Sequence, residues 1–215
     1  MIRVFETFGS LQGESTFAGE RCFFIRLAGC RLRCAWCDTL QAQAHDCGKE
    51  YSAAELTALA LASGIPLVEV TGGEPLEQPE AVELLQCLLD AGLQVLLETN
   101  GAEDASSVPE GVVRIFDYKL PSSRMESLML PENFRTLRKQ DEVKFVIGSR
   151  EDFLRAREVE TLYDIPAQTA KIIYSPVWGC VDFAELAQWI VESRAPGRMQ
   201  LQLHKLIWGA DAAGV

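Results

Sequence analysis

Two hydrophobic patterns alternate along most of the chain. Segments with apolar residues three and four positions apart, which is typical of helices, are followed by apolar runs of strand length. The predicted helices are 52–63, 78–92, 131–139, 150–161 and 182–194. The predicted strands are 22–28, 66–70, 94–98, 112–118, 142–147, 170–175 and 199–204. This alternation predicts an α/β fold in which parallel strands are joined by right-handed crossovers.

The number of predicted strands narrows the fold further. Seven strands suit an open, partial β/α barrel or a doubly wound sheet, and they are too few for a closed eight-stranded barrel. In either architecture the ligand-binding residues belong at the carboxyl ends of the strands. The segment after strand 22–28 is therefore the first place to look for chemistry. No linker or repeat divides the chain, which predicts a single domain over residues 1–215.

Composition and charge exclude several classes of protein. The 215 residues carry a formal net charge of −11, which disfavours a nucleic-acid partner because an acidic surface repels phosphates. No apolar run approaches the roughly 20 residues that span a bilayer. The first 15 residues lack a basic stretch followed by an apolar one, so we expect no signal peptide and a cytoplasmic location. A small molecule is the predicted partner.

Four of the seven cysteines lie in an eighteen-residue segment, 30–47. Cys30, Cys34 and Cys37 form a C-x3-C-x2-C motif, whose spacing lets one loop direct three thiolates at one centre. A zinc site would need a fourth ligand, which Cys47 or His45 could provide. A purely structural trio is a second reading, and a [4Fe–4S] cluster with one iron left open is a third.

The cysteine motif, with an aromatic residue (Trp36) before its last cysteine, resembles the signature of the radical SAM superfamily. The segment "TGGEP" (71–75) resembles that superfamily's glycine motif, which meets the amino group of S-adenosylmethionine. Gly72 and Gly73 permit close backbone approach, and Glu74 offers an acceptor for an ammonium group. The resemblance implies a partial, open parallel β/α barrel of the radical SAM type, with a cluster loop at 30–37.

The whole chain resembles the 7-carboxy-7-deazaguanine synthase family. The similar blocks are "ETFGSLQGESTFAG", "CFFIRLAGC", "CAWCDT", "TGGEP", "LETNG", "DYKLPSS", "EVKFVI" and "HKLIWGADAAGV". The resemblance implies a radical SAM lyase that contracts the ring of 6-carboxy-5,6,7,8-tetrahydropterin. The implied products are 7-carboxy-7-deazaguanine, a precursor of queuosine and other 7-deazapurines, and ammonia. The implied cofactors are a [4Fe–4S] cluster, S-adenosylmethionine and Mg²⁺.

The same resemblance implies roles for individual residues. Cys30, Cys34 and Cys37 would ligate the cluster, and Thr39 would join Mg²⁺ unless it only caps a turn. The implied S-adenosylmethionine contacts are Trp36, Gly73, Glu74, Asp117, Tyr118, Lys119, Ser175, Pro176, Val177 and Trp178. The implied substrate contacts are Leu11, Gln12, Gly13, Glu14, Arg26, Thr71 and Val215. Residues 117–119 and 175–178 depart from the family's commoner residues.

For two of the implied substrate contacts, the sequence also gives evidence that does not depend on the resemblance. Arg26 is a charge in an otherwise apolar strand, where it could grip the substrate carboxylate or simply face outward. Val215 ends a tail, 204–215, whose Ile207 and Trp208 are apolar anchors that are unusual in a frayed terminus. This pattern predicts that the tail folds over the strand ends, where it would close the site or merely cover the barrel mouth.

Two other functions stay open at this point. An activating enzyme for a glycyl-radical protein would share the C-x3-C-x2-C loop but would leave Arg26 and "LQGE" unexplained. A zinc-binding interaction module would use the cysteines structurally. The family's habits further imply a homodimer and an electron donor such as flavodoxin or ferredoxin.

Overall fold

Seven of the strands run parallel and form most of a single sheet. The structure is a computed structural model, and it describes residues 1–210, 212 and 214. Within this part the strand order is β3-β1-β2-β4-β5-β6-β7-β8-β9, and β1 pairs antiparallel with both of its neighbours, β3 and β2. The strands are β1 (Ile2–Leu11), β2 (Arg21–Leu27), β3 (Lys49–Tyr51), β4 (Leu67–Gly72), β5 (Gln94–Thr99), β6 (Val113–Tyr118), β7 (Glu142–Ile147), β8 (Ile172–Pro176) and β9 (Arg198–Met199).

The helices connect the strands and cover one face of the sheet. They are α1 (Ala53–Ser63), α2 (Ala81–Asp90), α3 (Pro131–Arg135), α4 (Arg150–Leu162), α5 (Ile165–Gln168), α6 (Phe183–Ser193) and α7 (Leu203–Trp208). No helix in the described part of the chain has the length and apolar character that a membrane crossing requires.

The alternation of side chains along each strand produces two separate cores. Because successive side chains point to opposite faces, Phe116 on β6 joins the large core beneath the helices, whereas Ile115 joins a smaller one. The smaller core lies on the inner face, where Phe24 and Leu96 also belong to it. We call this smaller core the apolar floor. The polar residues of the inner face lie nearer the carboxyl ends of the strands than this floor does.

The sheet does not close on itself. Its edge strands, β3 and β9, lie at opposite ends of the strand order. This arrangement confirms the predicted partial, open β/α barrel. The loop after β1 connects the two sides, because Thr16 bonds Glu142 of β7 and the Gly13 oxygen accepts a bond from the Leu203 backbone N–H at 3.0 Å.

The predictions missed both ends of the chain. The predicted strand 199–204 is wrong, since β9 stops at Met199 and α7 begins at Leu203. The pairing with β8 ends one residue later, where the Gln200 N–H donates to the Tyr174 oxygen at 3.0 Å, and the Gln200 side chain donates to the Ser15 oxygen at 2.6 Å. Strand β1 was not predicted, because charged and polar residues interrupt its apolar positions.

Candidate active site

A cavity of about 250 Å³ lies at the carboxyl ends of the parallel strands. Its wall combines inner-face residues of the strands, the cysteine loop after β2, and parts of the segments at 11–15 and 202–214. Predicted site residues that line it are Leu11, Gln12, Gly13, Glu14, Arg26, Cys30, Cys34, Trp36, Cys37, Thr39, Thr71, Gly73, Asp117, Lys119, Val177 and Trp178. The topology therefore brings most of the predicted site to one place.

The three motif cysteines share one wall of this cavity. Cys30, Cys34 and Cys37 are free thiols that line it, whereas Cys47 does not belong to its lining. His45 is engaged elsewhere, because its Nε2 lies 2.8 Å from Oε2 of Glu77. Within the described residues, the loop thus presents three cysteine thiols to the cavity, and neither Cys47 nor His45 joins them there.

These three thiols are ligands of the soft type that an iron–sulfur cluster takes. Within the described residues, no three His, Cys, Asp or Glu side chains meet as the ligands of one ion would. An iron–sulfur cluster bonds each thiolate through a different iron, so its cysteines need not converge on one point. Burial raises the pKa of the Cys30 thiol to about 11, so ligation there must release a proton.

The cysteine loop is joined to the glycine turn after β4 by close backbone contact. The Gly73 N–H donates to the Leu27 oxygen at 3.0 Å, and the Glu74 N–H donates to the Gly29 oxygen at 2.7 Å. A Cβ at Gly72 would overlap the Leu27 oxygen, and one at Gly73 would overlap the Gly29 oxygen. Only glycine allows the two segments to come this close.

The Glu74 side chain does not line the cavity, and its contact with S-adenosylmethionine stays a prediction. It is fully buried, and it accepts bonds from Leu76 N (3.0 Å), Thr99 Oγ1 (2.8 Å) and Asn100 N (2.7 Å). Burial raises the pKa of this carboxyl to about 7. Glu74 therefore fixes the end of β5 to the glycine turn, and Asn100 in turn lies 3.8 Å from the Cys30 sulfur.

Three further predicted contacts also lie away from the cavity. Tyr118 faces the helices and packs on Phe134, with ring centroids 4.9 Å apart, because β6 alternates and presents its neighbours to the inner face. Ser175 and Pro176 still belong to β8, and neither lines the cavity. The chain emerges at the cavity only beyond the strand, at 177–178.

Asp117 and Lys119 connect the inner face to the cysteine loop. Their side chains pair at 2.9 Å, and Lys119 Nζ lies 5.1 Å from the centre of the Trp36 ring. Trp36 is held by a bond from Nε1 to Ser122 Oγ at 3.1 Å. Asp117 Oδ1 is buried and has no partner among the described residues. A buried oxygen without a donor is an acceptor available to a ligand.

Arg26 faces the inside of the sheet. Its Nε donates to Glu6 Oε1 at 2.8 Å, and its side chain lines the cavity. The part of the chain that the structure describes supplies no hydrogen-bond acceptor to its two terminal nitrogens. Because these nitrogens form the guanidinium edge that binds carboxylates in bidentate fashion, Arg26 can receive an anionic group there.

The loop after β1 and the C-terminal segment form the opposite wall. Gln202 donates to Glu14 at 2.8 Å, and Lys205 of α7 pairs with Asp38 of the cysteine loop at 2.9 Å. The ring of His204 fills the space that a side chain at Gly13 would need. The described part of the tail, with Ala210, Ala212 and Gly214, also lines the cavity. Val215 lies outside the described residues.

The two threonines occupy different surroundings. Thr71 pairs in register with Arg26 of the neighbouring strand, and its hydroxyl donates to Glu98 at 3.1 Å. Thr39 is at the cavity's edge, and its hydroxyl donates to Asp38 at 3.1 Å. Thr39 and Asp38 therefore place two oxygen-bearing side chains next to each other at this edge.

Sequence reasoning missed a group of charges on the inner face, formed by Glu69, Glu98 and Lys144. Lys144 pairs with Glu98, and burial raises the pKa of Glu69 well above its usual value, with the neighbouring Glu98 adding to the effect. Glu69 also accepts a bond from Gln12. The signal was present, since each of the three is a charge inside an apolar strand, as Arg26 is.

The comparisons with known proteins agree with this fold. A family model described as "Radical SAM superfamily" matches residues 24–122. A crystal structure of QueE from Escherichia coli superposes with a TM-score of 0.77 and 23% identity, covering 94% of each chain. Streptococcus suis SuiB bound to S-adenosylmethionine gives a TM-score of 0.57 at 14% identity, covering 84% of this chain and 50% of that one. Fold and cysteine motif together define a radical SAM protein.

Curated relatives define the family more closely. The 7-carboxy-7-deazaguanine synthase of Koribacter versatilis (strain Ellin345) is 38% identical and is covered completely, as is this chain. The one from Chlorobaculum tepidum is 41% identical over 100% of this chain and 97% of the relative. The chain belongs to the 7-carboxy-7-deazaguanine synthase family.

Iron binding tests the cysteine wall. We expect anaerobically reconstituted protein to hold about four iron and four sulfide per chain, as a [4Fe–4S] cluster requires. Cys34→Ala removes a thiol from the cavity and should abolish most of this iron. Cys47→Ala, the matched control outside the cavity, should leave it intact. Both are measured by iron and sulfide analysis and by the visible absorption of the cluster.

The opposite result is equally clear. Loss of iron from the Cys47→Ala protein would mean that the cluster takes its fourth ligand from the chain, so that no iron is left open.

Proposed function

We propose that the chain contracts the ring of 6-carboxy-5,6,7,8-tetrahydropterin to 7-carboxy-7-deazaguanine, with loss of ammonia. Curated relatives that carry the name 7-carboxy-7-deazaguanine synthase span the whole chain, and this observation carries the proposal. The reaction makes the chain a lyase of 7-deazapurine (queuosine precursor) biosynthesis. Membership of this family does not favour the two alternative functions, an activating enzyme for a glycyl-radical protein and a zinc-binding module.

The radical SAM family implies a [4Fe–4S] cluster and S-adenosylmethionine, which supply one-electron and hydrogen-abstraction chemistry when bound. Cys30, Cys34 and Cys37 would hold the cluster. Gly73 would allow S-adenosylmethionine to approach the backbone, and Asp117 Oδ1 would accept a bond from one of its donors. The chain forms one radical SAM domain in this proposal, with the C-terminal segment closing the cavity.

The residues opposite the cysteines would hold the substrate. The terminal nitrogens of Arg26 would bind its carboxylate, and Gln12 and Glu14 would meet the donors and acceptors of the pterin edge. Thr71, which pairs in register with Arg26 and donates to Glu98, is a further substrate contact in the proposal. The remaining substrate contacts in the proposal are Leu11, Gly13 and Val215.

Four finer points belong to the same proposal. Thr39, beside Asp38, would join a Mg²⁺ ion, since hard cations prefer oxygen ligands. The protein would act as a cytoplasmic homodimer, and flavodoxin or ferredoxin would supply its electrons. These points rest on family resemblance, apart from the oxygens next to Thr39.

Product formation tests the proposed activity. The reconstituted protein should convert 6-carboxy-5,6,7,8-tetrahydropterin to 7-carboxy-7-deazaguanine in the presence of S-adenosylmethionine and a reductant, with the rate rising on addition of Mg²⁺. The product and ammonia are followed by mass spectrometry and an ammonia assay. A protein that carries its full cluster and cleaves S-adenosylmethionine, yet leaves the pterin unchanged, would refute the proposal.

Arg26→Lys tests the carboxylate contact. Lysine keeps the charge and loses the bidentate fork, so the exchange is not conservative at such a site. We expect kcat/KM for the pterin to fall on the order of 10-fold or more, because charge-assisted bonds contribute about 1.5–3 kcal/mol. Iron content and affinity for S-adenosylmethionine should not change.

Arg21→Lys is the matched control for this exchange. Arg21 lies on the same strand, is exposed and does not line the cavity, so its kcat/KM should equal that of the parent. If Arg26→Lys behaves like Arg21→Lys, the substrate carboxylate is bound elsewhere.

A further inference from the structure

A buried ammonium group stands between three carboxylates on the inner face of the sheet. Lys144 lies on β7, and its side chain is 4% exposed. Its Nζ lies 2.7 Å from Glu14 Oε2 and 3.5 Å from Asp117 Oδ2, and it also pairs with Glu98. The three acids come from three separate segments: the loop after β1, strand β5 and strand β6.

This ammonium is the hub of the cavity's charges. Removing one partner from a buried ion cluster leaves the remaining charges uncompensated, which is far costlier than losing a surface pair. Glu69 adds another carboxyl nearby and interacts with both Lys144 and Glu98. Without Lys144, these acids would face each other in a space with little water.

The other basic side chains around the cavity do not replace Lys144. Lys119 is paired with Asp117, and Arg26 is bound to Glu6 on the other side. His204 faces Glu14, but burial lowers its pKa from the usual value, so it stays neutral at pH 7. Lys205, on the same helix as His204, is paired with Asp38.

The charge states follow from these contacts. Burial on its own disfavours a charged Lys144, but Glu14, Glu98 and Asp117 together hold its pKa well above the usual value. Burial likewise disfavours a charged Glu14, yet Lys144 and the bond from Gln202 keep the pKa of Glu14 below its usual value. At neutral pH the cavity thus contains a charged Lys144 and an ionised Glu14.

We propose that Lys144 is a positioning residue of the substrate pocket, which holds the Glu14 and Glu98 side chains together as acceptors for the N–H donors of the pterin. This role rests on the proposed function, because it assigns the pterin to that wall of the cavity. Lys144 itself need not touch the substrate. Lys144 affects substrate binding through Glu14 and Glu98, because its positive charge offsets the repulsion between these two side chains.

Substrate-analogue binding against pH tests the role. The probe is 6-carboxypterin, a fluorescent oxidised analogue, titrated into reconstituted protein with S-adenosylmethionine between pH 6 and pH 9. In Lys144→Met the cation is gone while burial remains, so the pKa of Glu14 rises and the carboxyl takes up a proton as the pH falls. We expect the ratio of the Kd of Lys144→Met to the Kd of the parent to be at least 10-fold larger at pH 6 than at pH 9.

Two variants control for general damage to the pocket. Lys144→Arg keeps the charge and should restore most of the affinity and the flat pH profile of the parent. Lys171→Met removes a lysine that lies just before the neighbouring strand β8, outside the cavity, and pairs with Glu142 at 3.7 Å; the variant should bind as the parent does. A purely structural role for Lys144 would weaken binding equally at all pH values, and that result would overturn the proposal.

A second readout needs no ligand. The carboxyl ¹³C shift of Glu14, followed against pH by NMR in the reconstituted protein, should titrate at a higher midpoint in Lys144→Met than in the parent. Equal midpoints would overturn the proposal. If the Glu14 midpoints of Lys144→Met and the parent differ as expected but the parent does not bind 6-carboxypterin, the result contradicts the proposed function instead. The two failures are therefore distinguishable.

Discussion

The site depends on one close backbone contact, between the cysteine loop and the glycine turn after β4. Gly73 lies so near the Gly29 oxygen that a Cβ would overlap it, and two backbone hydrogen bonds join the segments. Glu74 extends this joint to β5 through Thr99 and Asn100. The start of the cysteine loop, with Cys30, is therefore fixed by the ends of three parallel strands, β2, β4 and β5. A loop alone would not hold this segment so well.

The inner face of the sheet adds a second set of constraints. Its lower half is an apolar floor that includes Phe24 and Leu96, and its upper half carries charges whose partners lie on other strands. The register places Asp117 opposite Lys144 and Arg26 opposite Thr71. Charges in such surroundings are costly unless paired, and here the carboxylates from other segments pair with Lys144.

Hydrophobic periodicity predicted the central strands and the long helices, because these segments bury one face along their whole length. It failed for β1, whose apolar positions are interrupted by charged and polar residues, and for 199–204, where β9 ends at Met199 and α7 begins at Leu203. Motifs located the thiols and Gly73, because short-range spacing is visible in sequence. The orientation of Glu74 and the meeting of Glu14 with Lys144, 130 positions apart, depend on tertiary packing that spacing cannot reveal.

Replacing Gly73 with alanine tests most directly whether the joint holds the site. The added methyl group must push the glycine turn away from Gly29, while the core beneath the helices stays as it is. The expected result is a variant with parental circular dichroism whose iron content falls and whose dissociation constant for S-adenosylmethionine rises at least 10-fold. A Gly73→Ala protein that holds its full iron and binds S-adenosylmethionine as tightly as the parent would contradict it.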